Sequence, residues 1–168
     1  MAIKRDLLKD KLLDSKSYNT IFINIEDEER VRKEQMDILV ELLCNERNKG
    51  SQTEVFNFMK KEPKTVDLLV KAIQESTVVE DRKKLVMASW EAGVDCDRYL
   101  SVFTDVAIND TLLISIEALT TIEHMTGKSD PKTIEASINK ASAAYTKETD
   151  STKKQLIADL IEVLRKWQ

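Results

Sequence analysis

The chain is 168 residues long, with 42% apolar residues, 33% charged residues and a net charge of −4. This composition is typical of a globular domain, and the acidic balance excludes an extended basic surface of the kind that nucleic acids and anionic membranes require. Three glycines and two prolines are far fewer than a loop-rich β fold uses, so we predict an all-α protein.

We predict a single domain over residues 1–168, in which residues 1–27 are an extended or loosely attached N-terminal segment. Residues 1–13 have leucines at helical spacing but neither an uninterrupted apolar run nor a cleavage site, so they are not a signal peptide. Residues 18–25 alternate with a strand-like period. Three interpretations stay open for them: an extended strap, a helix, or a strand that pairs with another molecule.

From residue 26 onward, apolar residues recur at helical spacing and the breaks between segments are short. The acidic residues 26–29 favour a helix start, and this helix is predicted to run to about residue 48, where Gly50 stops it. Two capping boxes, Ser51 with Glu54 and Thr77 with Glu80, predict the starts of later helices.

Residues 82–125 contain three helix-length apolar patterns, and the rest of the chain is organised around them. Gly93 is predicted to end the first helix, Asp95 or Asp97 to cap the second, and Asp110 to cap the third. The third helix is closed by Gly127 and is apolar over most of its circumference, which predicts a place inside a helical stack. Its predicted buried face comprises Leu112, Leu113, Ile116, Leu119 and Ile122.

Two further helices complete the chain. Asp130 followed by Pro131 is an N-cap with proline at the first helical position, and Asp150 is a second N-cap. The first of these helices carries Ile134, Ile138 and Tyr145 on its apolar face. We expect about eight helices in all.

Residues 65–145 resemble HEAT and armadillo repeats. Short turns separate consecutive helices there, and the segment Ala118-Leu119-Thr120-Thr121-Ile122 is similar to the A-L-x-x-I core of an inner repeat helix. The resemblance implies layered antiparallel helix pairs in an α-solenoid. Because the internal recurrence is only rough, the implied superhelix is irregular.

Motifs for catalysis and for cofactor or metal binding are missing. Three widely separated glycines cannot form a phosphate-binding loop, and one histidine cannot complete a di-iron site. His124 is predicted to complement a helix dipole. Cys44 and Cys96 are predicted to be reduced thiols of structural importance only, with Cys96 the more exposed of the two. We therefore predict no catalytic, cofactor-binding or metal-ligating residue and no cofactor.

Charged clusters offer weaker candidates. Asp95, Asp97 and Asp105 form a candidate carboxylate cluster, although helix capping explains two of them better. Basic runs at residues 60–64, 82–84 and 153–154 are interspersed with acids, so we interpret them as solvated helix faces rather than as a phosphate-binding surface.

The favoured function is a non-catalytic protein–protein interaction or scaffold module, because stacked helices offer an extended binding surface. Its partner would be another protein or peptide, or a second copy of the chain, with neither nucleic acid nor membrane involved. Free cysteines favour the cytoplasm. The candidate binding residues are Trp90, Asp95, Asp97 and Tyr99.

Two alternatives stay open. The HEAT-like resemblance also implies enzymes of the lyase or glycosylase type, which would here use carboxylates near the turn at residues 93–105. The second alternative is a helical repeat that binds nucleic acid, which the HEAT-like resemblance also implies.

Overall fold

The computed structural model describes residues 25–45 and 52–168, with side chains from Arg32 onward within those ranges. The predictions for residues 1–24 and for the capping box at Ser51 lie outside them. The described residues contain eight α-helices and no strand, so the prediction of an all-α fold is confirmed. None of these helices is long and apolar enough to cross a lipid bilayer.

The described helices divide into two compact units, and the boundary between them along the chain falls between Val94 and Asp95. In the first unit, the described helices are α1 (Ile25–Cys44), α2 (Gln52–Lys61), α3 (Lys64–Glu75) and α4 (Val79–Glu91). Helix α1 packs against the other three, and α3 packs against α4. The prediction that both units belong to a single domain stays a prediction.

The core of the first unit is mainly aliphatic, with Phe58 as a buried aromatic residue. Leu69 and Ile73 of α3 and Leu85 and Val86 of α4 are fully buried. Close to this core, the Lys84 ammonium donates a hydrogen bond of 2.8 Å to the carbonyl of Cys44, the last residue of α1. A cation at this position pairs with one of the carbonyls that a helix leaves free at its C-terminus.

In the second unit, a 3₁₀ turn (Asp97–Tyr99) leads into α5 (Leu100–Asn109), followed by α6 (Leu112–Glu123), α7 (Pro131–Lys147) and α8 (Ser151–Arg165). Helix α5 packs on α6 and α7, and α8 packs on α7 and α6. Since only two or three residues separate α5 from α6 and α7 from α8, each of these pairs must reverse direction, as the sequence predicts. The resemblance to HEAT and armadillo repeats stays a prediction.

Several predicted helix boundaries are confirmed by their geometry. Gly93 follows α4 with a φ of 59°, in the left-handed region that glycine adopts without a Cβ clash. Asp130 accepts a hydrogen bond from the Thr133 amide, with Pro131 at the start of α7. Asp150 accepts one from the Lys153 amide at the start of α8.

Other predicted caps are wrong. Helix α4 begins after Val78 without a side-chain cap, so Thr77 and Glu80 form no capping box. Helix α6 begins after Thr111, also without a side-chain cap, and Asp110 instead ends α5. Sequence spacing identifies residues that are able to cap, whereas the path of the chain decides whether the side chain reaches the free amides.

The predicted burial of α6 is also wrong in part. Leu112, Leu113 and Ile116 are 36%, 58% and 44% exposed, whereas Ser115 and Thr121 face the core. The inward hydroxyls are satisfied locally: Ser115 donates to the carbonyls of Val106 and Asp110, and Thr121 donates to that of Glu117. Small hydroxyl residues can therefore lie on the packed face of α6. In this orientation of the helix, three large apolar residues face outward.

Gly127 follows α6 after an intervening turn and has a φ of 73°. A Cβ at this position would lie 2.8 Å from Cδ1 of Trp167, which follows α8. Both the backbone conformation and the close indole ring therefore require glycine here.

Candidate functional site

Asp97 is the most highly connected of the predicted binding residues. Its carboxylate accepts hydrogen bonds from the Thr126 amide at 2.9 Å, the Thr126 hydroxyl at 2.5 Å and the Lys128 amide at 2.9 Å. Its backbone carbonyl accepts a further bond from the Ser129 hydroxyl. Asp97 is therefore hydrogen-bonded to the loop between α6 and α7. The prediction that Asp97 caps α5 is wrong, because α5 begins without a side-chain cap.

These donors determine the charge state of Asp97. Burial alone would raise the pKa of its carboxyl group, but the hydrogen bonds from Thr126 and Lys128 outweigh burial, and the pKa is lowered below its usual range. Asp97 is thus a buried carboxylate whose oxygens are already held by donors of the protein itself. This arrangement stabilises a loop rather than presenting an acid or base to a substrate.

The hydrogen bonds to the Asp97 carboxylate involve none of the other predicted binding residues. Asp95 is exposed and accepts a 3.0 Å hydrogen bond from the Asp97 amide, which starts the 3₁₀ turn. Tyr99 is half-buried, with the Arg98 guanidinium 4.9 Å from its ring centroid. Trp90 is half-buried in α4 and belongs to the first unit. A binding role for these four residues stays a prediction.

Asp105, the third member of the candidate carboxylate cluster, lies in α5 and forms an ion pair with Lys140 of α7. Both side chains are about half exposed. An exposed ion pair of this kind contributes little stability, but it neutralises one lysine on the α7 surface.

Neither cysteine is suited to nucleophilic chemistry. The prediction that Cys96 is the more exposed is wrong, because Cys96 is buried and Cys44 is half-buried. Burial is the main cause that raises the pKa of each thiol to about 12, so both are protonated at neutral pH. His124 is exposed and lies just beyond α6, with its Nδ1 2.8 Å from the carbonyl oxygen of Thr120.

Lys153 was predicted to lie on a solvated face, and this prediction is wrong. Its side chain is 7% exposed, and its ammonium donates hydrogen bonds to the Asp110 carbonyl, at 2.8 Å, and to the Ser115 hydroxyl. Burial lowers the pKa of Lys153, although the carboxylates of Asp110 and Glu148 favour its charged form. Its helical spacing to Ile157, Leu160 and Leu164 places Lys153 on the buried face of α8. Its hydrogen-bond partners lie about 40 residues earlier, so the sequence does not show how the charge is accommodated there.

A groove lies between α5 and the N-terminal half of α7, with a volume of about 330 Å³. We call it the α5–α7 groove. Hydroxyl groups and lysines predominate among its lining residues, and no acidic side chain is among them. The lining residues are Ser101, Thr104, Lys132, Thr133, Ala136, Ser137 and Lys140.

A second surface feature is the exposed apolar side of α6, formed by Leu112, Leu113 and Ile116. We call it the α6 leucine surface. The only charged residues within α6 are Glu117 and Glu123, both acidic. Single exposed apolar residues are ordinary on protein surfaces, but three large ones clustered within five consecutive helix positions favour a binding face.

Comparisons with known proteins add no relative. No family model, no curated protein and no solved structure matches the chain. Within the described ranges, no group of three or more histidine, cysteine, aspartate or glutamate side chains is placed to hold a metal ion. The two surface features of the second unit, the α5–α7 groove and the α6 leucine surface, are therefore the candidate sites.

Proposed function

We propose that this chain is a non-catalytic interaction module and that its α6 leucine surface binds an amphipathic helix of another protein. The exposure of Leu113, which is 58%, together with that of its neighbours Leu112 and Ile116, carries the proposal. An apolar helix face of this size is matched by a partner helix that presents apolar residues at spacings of three and four.

The charge on α6 specifies the partner further. Glu117 and Glu123 are the charged residues of this helix, so a partner helix with basic residues beside its apolar stripe is favoured over an acidic one. Asp97, on which the enzyme alternative would rely, has its carboxylate oxygens held by Thr126 and Lys128, which also favours the interaction module. The proposed compartment is the cytoplasm, since Cys44 and Cys96 are free thiols.

Two synthetic helical peptides with the same leucine stripe test the proposal, one flanked by lysines and the other by glutamates. In fluorescence anisotropy with the full chain, we expect the lysine-flanked peptide to bind at least tenfold more tightly, and Leu113→Asp to weaken its binding by about tenfold or more. Val79→Asp is the matched control, because Val79 is similarly exposed, at 53%, but belongs to the first unit.

The proposal fails if neither peptide binds or if both bind equally. It also fails if Val79→Asp weakens binding as much as Leu113→Asp does. Self-association that light scattering detects and Leu113→Asp abolishes would instead assign the surface to a second copy of the chain.

A further inference from the structure

Two lysines and four hydroxyl residues line the α5–α7 groove, and these are side chains that can bind an anion. Lys132 and Lys140 are the charged lining residues of the groove, and Ser101, Thr104, Thr133 and Ser137 add hydroxyl groups that can donate hydrogen bonds. Because Lys140 is paired with Asp105, most of the uncompensated positive charge comes from Lys132, an exposed residue in the first turn of α7.

Thr104 supplies the second, independent observation. Its side chain is fully buried, and its hydroxyl oxygen makes no hydrogen bond with any described group. A buried polar group without a partner is costly, and a bound molecule that supplies the missing hydrogen bond is one explanation for it. Thr104 is also a lining residue of the groove, so a molecule bound there can satisfy the hydroxyl.

We propose that the α5–α7 groove binds a small organic anion, in which one carboxylate or phosphate group is carried on an apolar body. The anionic group lies beside Lys132 and accepts hydrogen bonds from the serine and threonine hydroxyls. The apolar body lies against the Ala136 methyl group and the aliphatic stems of the lysines. This activity goes beyond the proposed interaction with a partner helix, since the groove and the α6 leucine surface share no residue.

The size of the groove favours an organic molecule over a bare ion. A volume of about 330 Å³ lies at the lower end of the range for small-molecule sites. The N-terminus of α7 does not itself provide the site, because the Asp130 carboxylate already accepts from the Thr133 amide. Ser101 and Lys140, which line the groove with Thr104, are both exposed.

Three probes of similar shape test the chemical class: phenyl phosphate, benzoate and the neutral benzyl alcohol. Each is titrated into the full chain, and binding is followed by isothermal titration calorimetry and by NMR shifts of α5 and α7 amides. We expect dissociation constants on the order of 0.1–1 mM for at least one anion and binding at least tenfold weaker for benzyl alcohol. The preferred anion distinguishes a phosphate from a carboxylate ligand.

Lys132→Gln tests the role of charge, with Lys147→Gln as its control. Both lysines are exposed on α7, but only Lys132 lines the groove. We expect Lys132→Gln to weaken binding of the preferred anion by about tenfold, since it removes a charge-assisted hydrogen bond, and Lys147→Gln to change it less than twofold. Equal effects of the two substitutions would overturn the proposal.

Thr104→Val provides a signature that a purely structural residue would not give. Removing an unpartnered buried hydroxyl should raise the Tm of the free protein by about 2–4 °C, while the affinity for the anion falls several-fold. Thr121→Val is the matched control: its hydroxyl is also buried but donates at 2.9 Å to the Glu117 carbonyl, so its Tm should fall. An unchanged affinity in Thr104→Val, or no binding of either anion to the wild type, would overturn the proposal.

Discussion

Asp97 and Lys153 are both buried charged residues of the second unit, yet their surroundings act on their charges in opposite ways. The pKa of Asp97 is lowered, which means that its surroundings favour the charged form of an acid. The pKa of Lys153 is also lowered, which for a base means that its surroundings disfavour the charged form.

The difference follows from the donors and acceptors that each charge receives. Two backbone amides and one hydroxyl point their hydrogens at the Asp97 carboxylate, and these compensate for the lost hydration. Lys153 donates hydrogen bonds to two neutral oxygens, the Asp110 carbonyl and the Ser115 hydroxyl, and the carboxylates of Asp110 and Glu148 only partly offset its burial. A buried charge is thus a source of stability only where enough preorganised dipoles replace water.

The largest effect is expected for Asp97→Asn. The amide nitrogen of asparagine cannot accept a hydrogen bond from Thr126 or Lys128. The substitution therefore loses charge-assisted hydrogen bonds and places the asparagine NH₂ group against donors of Thr126 or Lys128. We expect the free energy of unfolding to fall by about 3 kcal/mol, as measured by urea denaturation. Asp95→Asn is the control, because Asp95 is exposed and accepts a single amide, and its cost should stay below about 1 kcal/mol. Similar losses of unfolding free energy in both variants would contradict the stabilising role of the Asp97 carboxylate.

The contribution of Asp97 to the unfolding free energy should decrease at acidic pH. Since the folded-state pKa of Asp97 is below the ordinary value of about 3.9, its contribution is fully present above that value and is lost as pH falls through the folded pKa. The gap in unfolding free energy between the wild type and Asp97→Asn should therefore narrow from pH 5 downward, as urea denaturation over a pH series would show. A gap that stays constant to pH 2.5 would contradict the lowered pKa.

The smallest effect is expected for Lys153→Met, although Lys153 is as buried as Asp97. The substitution removes a charge that its surroundings disfavour, and Asp110 and Ser115 keep their mutual hydrogen bond. We expect a change in unfolding free energy within about 1 kcal/mol at pH 7.

The difference in unfolding free energy between the wild type and Lys153→Met should change at alkaline pH. Because the folded-state pKa of Lys153 is lowered, the charged lysine destabilises the folded protein at every pH below that pKa. This destabilisation is relieved as pH rises from the folded-state pKa toward the unfolded-state value of about 10.4. The wild type should therefore gain stability relative to Lys153→Met between neutral pH and pH 10. Lys147→Met, at an exposed position of α7, is the control for loss of a lysine charge. A loss of several kcal/mol in Lys153→Met at pH 7 would contradict the comparison.

Apolar periodicity and local caps account for the parts of the fold that the sequence predicts well. Gly93, Asp130 and Asp150 act within three residues of their own position, so their roles are visible in a short window. Asp97 and Lys153 depend instead on partners 29 to 43 residues away along the chain. No local pattern records such partners, which is why a capping role and a solvated role were predicted for them.

The candidate sites were missed for a related reason. Periodicity assigns large apolar residues to the core, but in α6 the inward positions go to Ser115 and Thr121, whose hydroxyls bond to nearby carbonyls. The leucines that remain outside then form a surface that sequence reasoning placed inside a stack. Likewise, the α5–α7 groove joins residues of two helices, and none of its members belongs to a recognisable motif.

The indole of Trp167 against Gly127 has a practical consequence. The chain has two tryptophans, Trp90 in the first unit and Trp167 in the second, so each unit carries its own intrinsic fluorophore. The emission of Trp167 reports on the loop that Asp97 holds, since the ring contacts Gly127 of that loop. Replacing either tryptophan by phenylalanine leaves tryptophan emission from one unit alone, and the unfolding of the two units can then be followed separately without a label.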